Sequence, residues 1–340
     1  MLNGAIIGFG KIARTNHIGA FQSKELKNII GISSSVEVVD KIREESEKEY
    51  SRFTFYKSLD EMYANEKIDF IDITTPPKYH KEIIDWAIEK GLHIICEKPF
   101  TLSLSEAKVL YEKLSDSEIL FIPCHQYKYS QLWGEFKSFV DDLNADEKIF
   151  LQFNIFRTGA DPGLNVNLPP WRLNKEISGG GILSDTGFHY LYLSNWLLGK
   201  PQKVTTINHN LAHSSFQVED TSQVILEYDR GIIQINLTWA YHARRNEAKL
   251  ISKTGSIFYD GSNYLIKNFN GKEEKISVPE ASDKSHYTSL YVELISDFAE
   301  DVQKKNFHKE GLEDAYNTIY LLDKCYESSR ERKTIELRNE

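Results

Sequence analysis

Three short stretches of the chain gather residues that can do chemistry. Gly8-Phe9-Gly10-Lys11-Ile12-Ala13 is a G-x-G-x-x-A run, Glu97-Lys98-Pro99 sets an acid and an ammonium before a proline, and Gly179-Gly180-Gly181 leads into Asp185 and His189. In the first, the glycines permit a tight bend and a close backbone approach to a pyrophosphate, which the N-terminus of a following helix then faces. In the third, Asp185 and His189 stand four residues apart and so share one face of a helix. Three successive glycines cost backbone entropy, so they are expected where another backbone or a cofactor must come close.

The elements that position these groups can be read from the apolar pattern. Ala5 to Ile7, Ile29 to Ile32, Phe70 to Thr74, Ile94 to Cys96 and Ile119 to Ile122 read as buried strands, most of them separated by helical stretches. That alternation implies βαβ units and a parallel sheet. Gly91 stops a helix running from about Tyr79 to Lys90, and Ser103 with Glu106 forms a capping box that opens the next. From about Ile149 the texture changes to longer alternating strands, with hairpin turns at Asp229-Arg230-Gly231 and Asn270-Gly271. Helices are expected over about Leu183 to Leu198, Tyr287 to Lys305 and Leu312 to Ser329. The fold class is therefore α/β followed by α+β: a Rossmann domain over 1–123, then a domain over 124–340 with a large, mainly antiparallel open sheet.

Ligands of an open parallel sheet bind at the carboxyl ends of its strands. Thr74-Thr75-Pro76, with His80 close behind, and Glu97-Lys98 both follow such ends, so Thr74, Thr75, Pro76, His80, Glu97 and Lys98 join Gly8, Phe9, Gly10, Lys11 and Ile12 as candidate cofactor residues. After Ile32, where an acid selects NAD, come Ser33, Ser34 and Ser35. Small hydroxyls leave room for a 2′-phosphate, with Lys41 or Arg43 as cationic helpers, so the expectation leans to NADP over NAD. Tyr127, Arg157, Trp171 and Arg172, together with His125, are candidate substrate contacts, since aromatic rings stack on pyranose faces and Arg forks bind anions.

Composition narrows the classes. A length of 340 residues with 41% apolar content suits two cored domains, and a net charge of -9 without a basic stripe speaks against nucleic acid. No stretch reaches the roughly 18 apolar residues of a membrane span, and no cleavable leader is evident, so neither a membrane nor secretion is expected. The three cysteines, Cys96, Cys124 and Cys325, lack zinc-site spacing, so no metal is expected and a reducing cytoplasm fits them.

These motifs in this order resemble the Gfo/Idh/MocA oxidoreductases, named for glucose-fructose oxidoreductase and inositol dehydrogenase. The resemblance spans most of the chain and rests on Gly8 to Ala13, Thr75-Pro76 with His80, Glu97-Lys98-Pro99 and Gly179 to His189. It implies an NAD(P)-dependent enzyme that moves a hydride between a nicotinamide and a hydroxyl or keto carbon of a sugar, polyol or sugar derivative. By motif position it makes Lys98, Asp185 and His189 catalytic, and all three contact substrate with the active site between the domains. It also implies oligomer contacts through the open sheet, as a homodimer or homotetramer. In alcohol oxidation His189 takes the hydroxyl proton while Lys98 stabilises the oxygen, or the two exchange roles. One departure is Tyr192, which stands three residues after the histidine where the family often has an acid.

Two other readings share these residues. In a cofactor-retaining hydrolase or epimerase the sugar is oxidised only transiently, and tightly held cofactor without net reduction distinguishes it. A non-catalytic sensor has no need of Lys98, Asp185 and His189 together.

Overall fold

The computed structural model describes residues 1–36, 40–164, 170–279 and 287–337. They fall into two compact units.

The first unit is built on strands β1 (Leu2–Ile7), β2 (Ile30–Val36), β3 (Thr54–Tyr56), β4 (Phe70–Ile73), β5 (His93–Cys96) and β6 (Phe121–Pro123), ordered β3-β2-β1-β4-β5-β6. Every pairing is parallel, the arrangement of a Rossmann sheet. Both faces are covered, so β4 is buried at every residue. The edge strand β3 was not expected, because three residues are too short a run to show alternation. Gly91 ends the His80–Lys90 helix at φ 69°, and Ser103 accepts the Glu106 N–H at the head of the Leu104–Ser115 helix. Its partner in the capping box, the Glu106 carboxylate, receives the N–H of Leu102 at 3.2 Å.

This unit comprises Met1–Gln126 and also Tyr287–Tyr316, a return of the chain that a linear division into 1–123 and 124–340 does not contain. The reason is apolar packing. The Tyr287–Lys304 helix lays Phe298 edge-on against Phe70, with ring centroids 5.1 Å apart. The Lys309 ammonium then caps the carbonyls of Leu114 and Ser117 at 2.7 and 2.8 Å. An apolar stripe is visible in sequence, but not the core it meets.

The second unit carries a nine-stranded sheet of order β14-β13-β12-β11-β7-β10-β9-β8-β15. Its strands are β7 (Ile149–Phe156), β8 (Lys203–His209), β9 (Thr221–Tyr228), β10 (Gly231–Thr238), β11 (Arg245–Ile251), β12 (Gly255–Tyr259), β13 (Tyr264–Phe269), β14 (Lys272–Ser277) and β15 (Ile335–Glu336). All pairs are antiparallel except the central β7 and β10. Tyr228 pairs with Gly231 across the first expected hairpin, and Phe269 with Lys272 across the second.

The helix expected over Leu183 to Leu198 is two pieces, a π-helical turn at Leu183–Gly187 and an α-helix at Phe188–Leu198. It lies against one sheet face, with Tyr190 packed on Phe153 at 5.1 Å. Gly187 permits this approach, since a methyl group there would stand 2.6 Å from Leu237 Cδ1.

Candidate active site

In the first unit, β1 ends in the glycine turn. Gly8 has φ 88°, and a Cβ on it would sit 2.7 Å from Thr75 Cγ2, whereas one on Gly10 would meet nothing within 4 Å. Gly8 thus makes the bend, and Gly10 keeps the backbone open to an approaching phosphate. Thr74 fastens the turn, its N–H donating to the Ile7 carbonyl at 2.9 Å and its hydroxyl to the Gly8 carbonyl at 2.5 Å. Lys11 and Ile12 follow, half-buried, and Ala13 is fully buried at the helix–strand contact.

Phe9 was expected to touch cofactor, but its ring is fully buried among Tyr50, Phe53 and Phe55, with centroids 5.1, 5.5 and 5.0 Å away. Only its backbone is left to face a ligand. Arg14, which sequence reading missed, ties this turn to the Asp40–Glu49 helix, donating to the Phe9 carbonyl at 3.0 Å and to Ser46 at 2.6 Å.

The serines also need correction. β2 runs on to Val36, so Ser34 pairs with Ala5 and Ser35 with Ile6 inside the sheet. Both are fully buried, and Ser35 donates to the Ile6 carbonyl at 2.9 Å. Their hydroxyls are enclosed in the sheet, which takes Ser34 out of the expected cofactor contacts. The side chains of Ser33 and Lys41 lie outside the described residues, and Arg43 pairs with Glu47 at 3.6 Å. Gly8 N–H donates to the Val36 carbonyl at 3.0 Å, which puts the end of β2 beside the glycine turn; the next residue in the chain is Glu37.

His80 is fully buried, its Nε2 2.8 Å from the Thr75 carbonyl and its Nδ1 2.9 Å from the Pro99 carbonyl. It was expected at the cofactor; instead it braces the loop after β4, with Thr75 and Pro76, to the loop after β5. Burial pushes its pKa down, although both carbonyls favour the protonated ring.

Beneath Lys98 lies a buried charge cluster that the sequence did not disclose. His17 Nδ1 is 2.7 Å from Asp72 Oδ2, and its Nε2 is 3.1 Å from Glu97 Oε1. The same Glu97 oxygen accepts the Tyr291 hydroxyl at 2.6 Å, while Glu97 Oε2 accepts the backbone N–H of Lys98 at 3.1 Å. Burial opposes a charge on His17, but Asp72 and Glu97 outweigh it and raise its pKa to about 10. Glu97 is held below its ordinary value because His17 outweighs its burial, and Asp72 is pushed up by burial. Glu97 is therefore an anchor: its carboxylate is spent on holding the half-buried Lys98 at the carboxyl end of β5.

His17, Glu97 and Cys124 also bring a nitrogen, an oxygen and a sulfur within 4.8 Å of one another. A metal needs neutral imidazole and thiolate. Here His17 is held protonated, and burial pushes the Cys124 thiol well up. The group fits a hydrogen-bonded ion cluster rather than a ligand set.

In the second unit, the glycine run has an internal cause. A Cβ on Gly180 would stand 1.8 Å from the Tyr326 hydroxyl, and one on Gly181 would stand 1.9 Å from the Glu219 carbonyl. The close neighbours are the protein's own residues. Glu219 Oε1 accepts the N–H of Gly181 at 3.0 Å, that of Leu183 at 3.1 Å and the Tyr326 hydroxyl at 2.8 Å. It caps the N-terminus of the segment that bears Asp185 and His189. Burial pushes its pKa up despite these donors.

Asp185 Oδ1 accepts Arg172 Nε at 2.8 Å, and Oδ2 accepts the Thr186 hydroxyl at 3.2 Å. Arg172 also lies over Trp171, 4.4 Å from the ring centroid. Arg157 is buried, donating to the Phe156 and Arg245 carbonyls at 2.7 and 3.0 Å and to Asn246 at 2.7 Å. Of these two candidate substrate contacts, Arg157 closes the end of the sheet and Arg172 serves Asp185. Tyr127 stacks on His189, with centroids 4.3 Å apart and planes at 18°, and His189 Nδ1 is 3.0 Å from the Tyr192 hydroxyl. His125, in the first unit, is buried just past β6.

Residues 2–123 match the model of the oxidoreductase family with an NAD-binding Rossmann fold, and residues 154–337 match the C-terminal alpha/beta domain of the same family. The chain belongs to the Gfo/Idh/MocA oxidoreductase family. An uncharacterized oxidoreductase of Schizosaccharomyces pombe is 30% identical over 53% of this chain and 48% of its own, so this chain spans about half of that relative's length. The D-glucoside 3-dehydrogenase of Escherichia coli K12 is 22% identical over 98% of this chain and 97% of its own. A levoglucosan dehydrogenase solved with NADH and levoglucosan has the same fold, with a TM-score of 0.85 at 19% identity over 99% of this chain and 100% of that one. The family and the Rossmann plus mixed-sheet architecture agree with the expectation from sequence.

Proposed function

We propose that this protein is an NAD-dependent dehydrogenase that oxidises a secondary hydroxyl of a sugar or sugar-like polyol, or reduces the corresponding ketone. What supports it most is the Glu97 cluster: a buried carboxylate network of this kind is costly unless it serves a purpose, and it holds Lys98 at the sheet edge where ligands of this fold bind. Similarity to a D-glucoside dehydrogenase and to a levoglucosan dehydrogenase supports the sugar class.

Gly8, Gly10, Lys11 and Ile12, with Thr74, Thr75 and Pro76, would hold the dinucleotide, and the bound nicotinamide supplies the hydride acceptor. Lys98, Asp185 and His189 are the catalytic residues of this reading, two of them exchanging the proton and stabilising the reacting oxygen. Asp185, fixed by Arg172 and Thr186, orients the site. Trp171, half-buried, offers aromatic surface to a pyranose.

NAD is favoured over NADP because β2 reaches Val36 and the next residue in sequence is an acid, Glu37, a residue type that suits ribose hydroxyls. A homo-oligomer is part of the reading, since Phe150, Ile207, Ile232, Ile251 and Phe258 are exposed on one face of the nine-stranded sheet. No helix among the described residues is long and apolar enough to cross a membrane, and three buried free thiols suit a cytoplasmic protein. The test is cofactor reduction against a panel of sugars and polyols, with Lys98→Ala and His189→Ala beside the parent chain.

A further inference from the structure

Within the first unit, one imidazole ties the segment after the glycine turn to the strand end that presents Lys98. His17 closes the π-helical turn Ala13–His17, which follows Gly8 to Ile12 directly, and its side chain is fully buried. The groups against it come from three other segments: Asp72 in β4, Glu97 just past β5, and Tyr291 in the Tyr287–Lys304 helix, whose ring centroid lies 4.4 Å from that of the imidazole. A carboxylate oxygen stands at each ring nitrogen, 2.7 Å from Nδ1 and 3.1 Å from Nε2. Carboxylates accept only, so the ring bonds both of them with a proton on each nitrogen. Glu97 then carries the link onward, because its other oxygen accepts the backbone N–H of Lys98 at 3.1 Å.

We propose that His17 is a positioning residue for the reaction: as an imidazolium it keeps Glu97 an anion, and Glu97 in that form fixes the backbone of Lys98. A charged acceptor holds an amide N–H about twice as firmly as a neutral one. Burial by itself drives Glu97 to take up a proton; the hydrogen bond and charge of His17 oppose this most, followed by the Lys98 ammonium and the Tyr291 hydroxyl. The other ionisable groups facing Glu97 bring no positive charge at neutral pH. Asp72 is a second carboxyl, burial pushes the Cys96 and Cys124 thiols well up, and burial pushes His80 down.

The effect on turnover rests on the dehydrogenase reading, whereas the state of the ring does not. His17 acts through Glu97, and what it governs is how firmly the lysine is held. A role limited to packing lowers kcat by the same factor at every pH. A role through the Glu97 charge lowers it only where that carboxyl is protonated, so the two are separable.

The ring state is readable on the free protein by nitrogen-15 NMR, with His17→Gln assigning the signal. At about pH 8, where an ordinary histidine is neutral, both His17 nitrogens should carry protons, since its pKa is raised to about 10. Turnover is read first in Tyr291→Phe, which keeps the aromatic ring and removes one donor from Glu97. Its kcat should match the parent's near pH 9 and fall about tenfold below it near pH 6, the difference between a charged and a neutral hydrogen bond. His17→Gln should move the same limb further toward neutral pH. Glu97→Gln, uncharged throughout, should be low across the range, and adding His17→Gln to it should lower kcat no further.

A singly protonated His17 ring at about pH 8, a Tyr291→Phe profile parallel to the parent's, or parental kcat in Glu97→Gln overturns the proposal alone. If no substrate turns over, the functional reading fails and the proposal with it.

Discussion

Gly181 packs so closely under Glu219 that a methyl group on it would stand 1.9 Å from the Glu219 carbonyl oxygen, while its N–H is received by the Glu219 carboxylate at 3.0 Å. Backbone and side chain of one residue thus grip the head of the segment that carries Asp185 and His189.

Any Cβ at Gly181 must push that backbone aside, so Gly181→Ala should cost at least ~3 kcal/mol, the upper range for overpacking. Glu219→Ala strands the buried N–H groups of Gly181 and Leu183 and should cost about 2–4 kcal/mol. Glu219→Gln keeps a carbonyl acceptor, and its carboxyl is already pushed toward the neutral form by burial, so it should stay near the parent. Chemical denaturation of the three variants checks the order; equal loss in Gln and Ala would contradict the capping role.

The His17 cluster predicts an alkaline limb in stability. His17 carries a folded pKa raised to about 10 from 6.5, so its contribution is complete below about pH 6.5 and is lost as pH rises toward 10. The unfolding free energy should fall over that window by up to ~1.4 kcal/mol per pH unit. Glu97 works on the other side: held low, it gives stability above its ordinary pKa that is lost on acidification. His17→Gln leaves two buried carboxylates without their cation and should cost ~3–5 kcal/mol at neutral pH. The same limb, measured by denaturation across pH, should flatten in that variant; an unchanged limb would show that other groups produce it.

Much of this was legible beforehand, and the omissions share a cause. The glycine turn, the strands flanking it, Gly91, Ser103 and both hairpins are local devices, readable from a few adjacent residues. His17, Asp72, Glu97 and Tyr291 meet from four segments far apart in sequence, and Glu219 reaches Gly181 from 38 residues away, so no spacing rule exposes them. Phe9 and His80 were assigned to ligands by their place in a motif and Arg157 by residue type, yet their neighbours show them committed to the protein's own packing and carbonyls. The serine error was one of strand length. β2 runs four residues past Ile32, because Ser34 and Ser35 satisfy its register as readily as apolar residues would.

The proposed preference for NAD draws on that register. The parent should use NAD in preference to NADP, and Glu37→Ala should lower kcat/KM for NAD by about tenfold, one charged hydrogen bond's worth, while leaving NADP use unchanged or improved. Steady-state kinetics with both coenzymes decides it. A parent enzyme that prefers NADP would return the assignment to the serines and their basic neighbours.

The open sheet should carry the subunit contact. Ile232 faces solvent beside Phe150 and Ile251, so Ile232→Asp should shift the assembly toward monomer in light scattering without lowering the melting temperature of the protomer. A parent that is monomeric at micromolar concentration, or a variant with unchanged mass, would remove this face from the interface.

The central claim is tested most directly by following reduced nicotinamide as the purified protein meets NAD and a panel of sugars, polyols and sugar derivatives. Net reduction with one substrate class is expected. Lys98→Ala and His189→Ala should each lose a factor of about 10²–10⁴ in kcat and still bind NAD. Turnover that survives both substitutions, or bound cofactor that no member of the panel reduces, would contradict it.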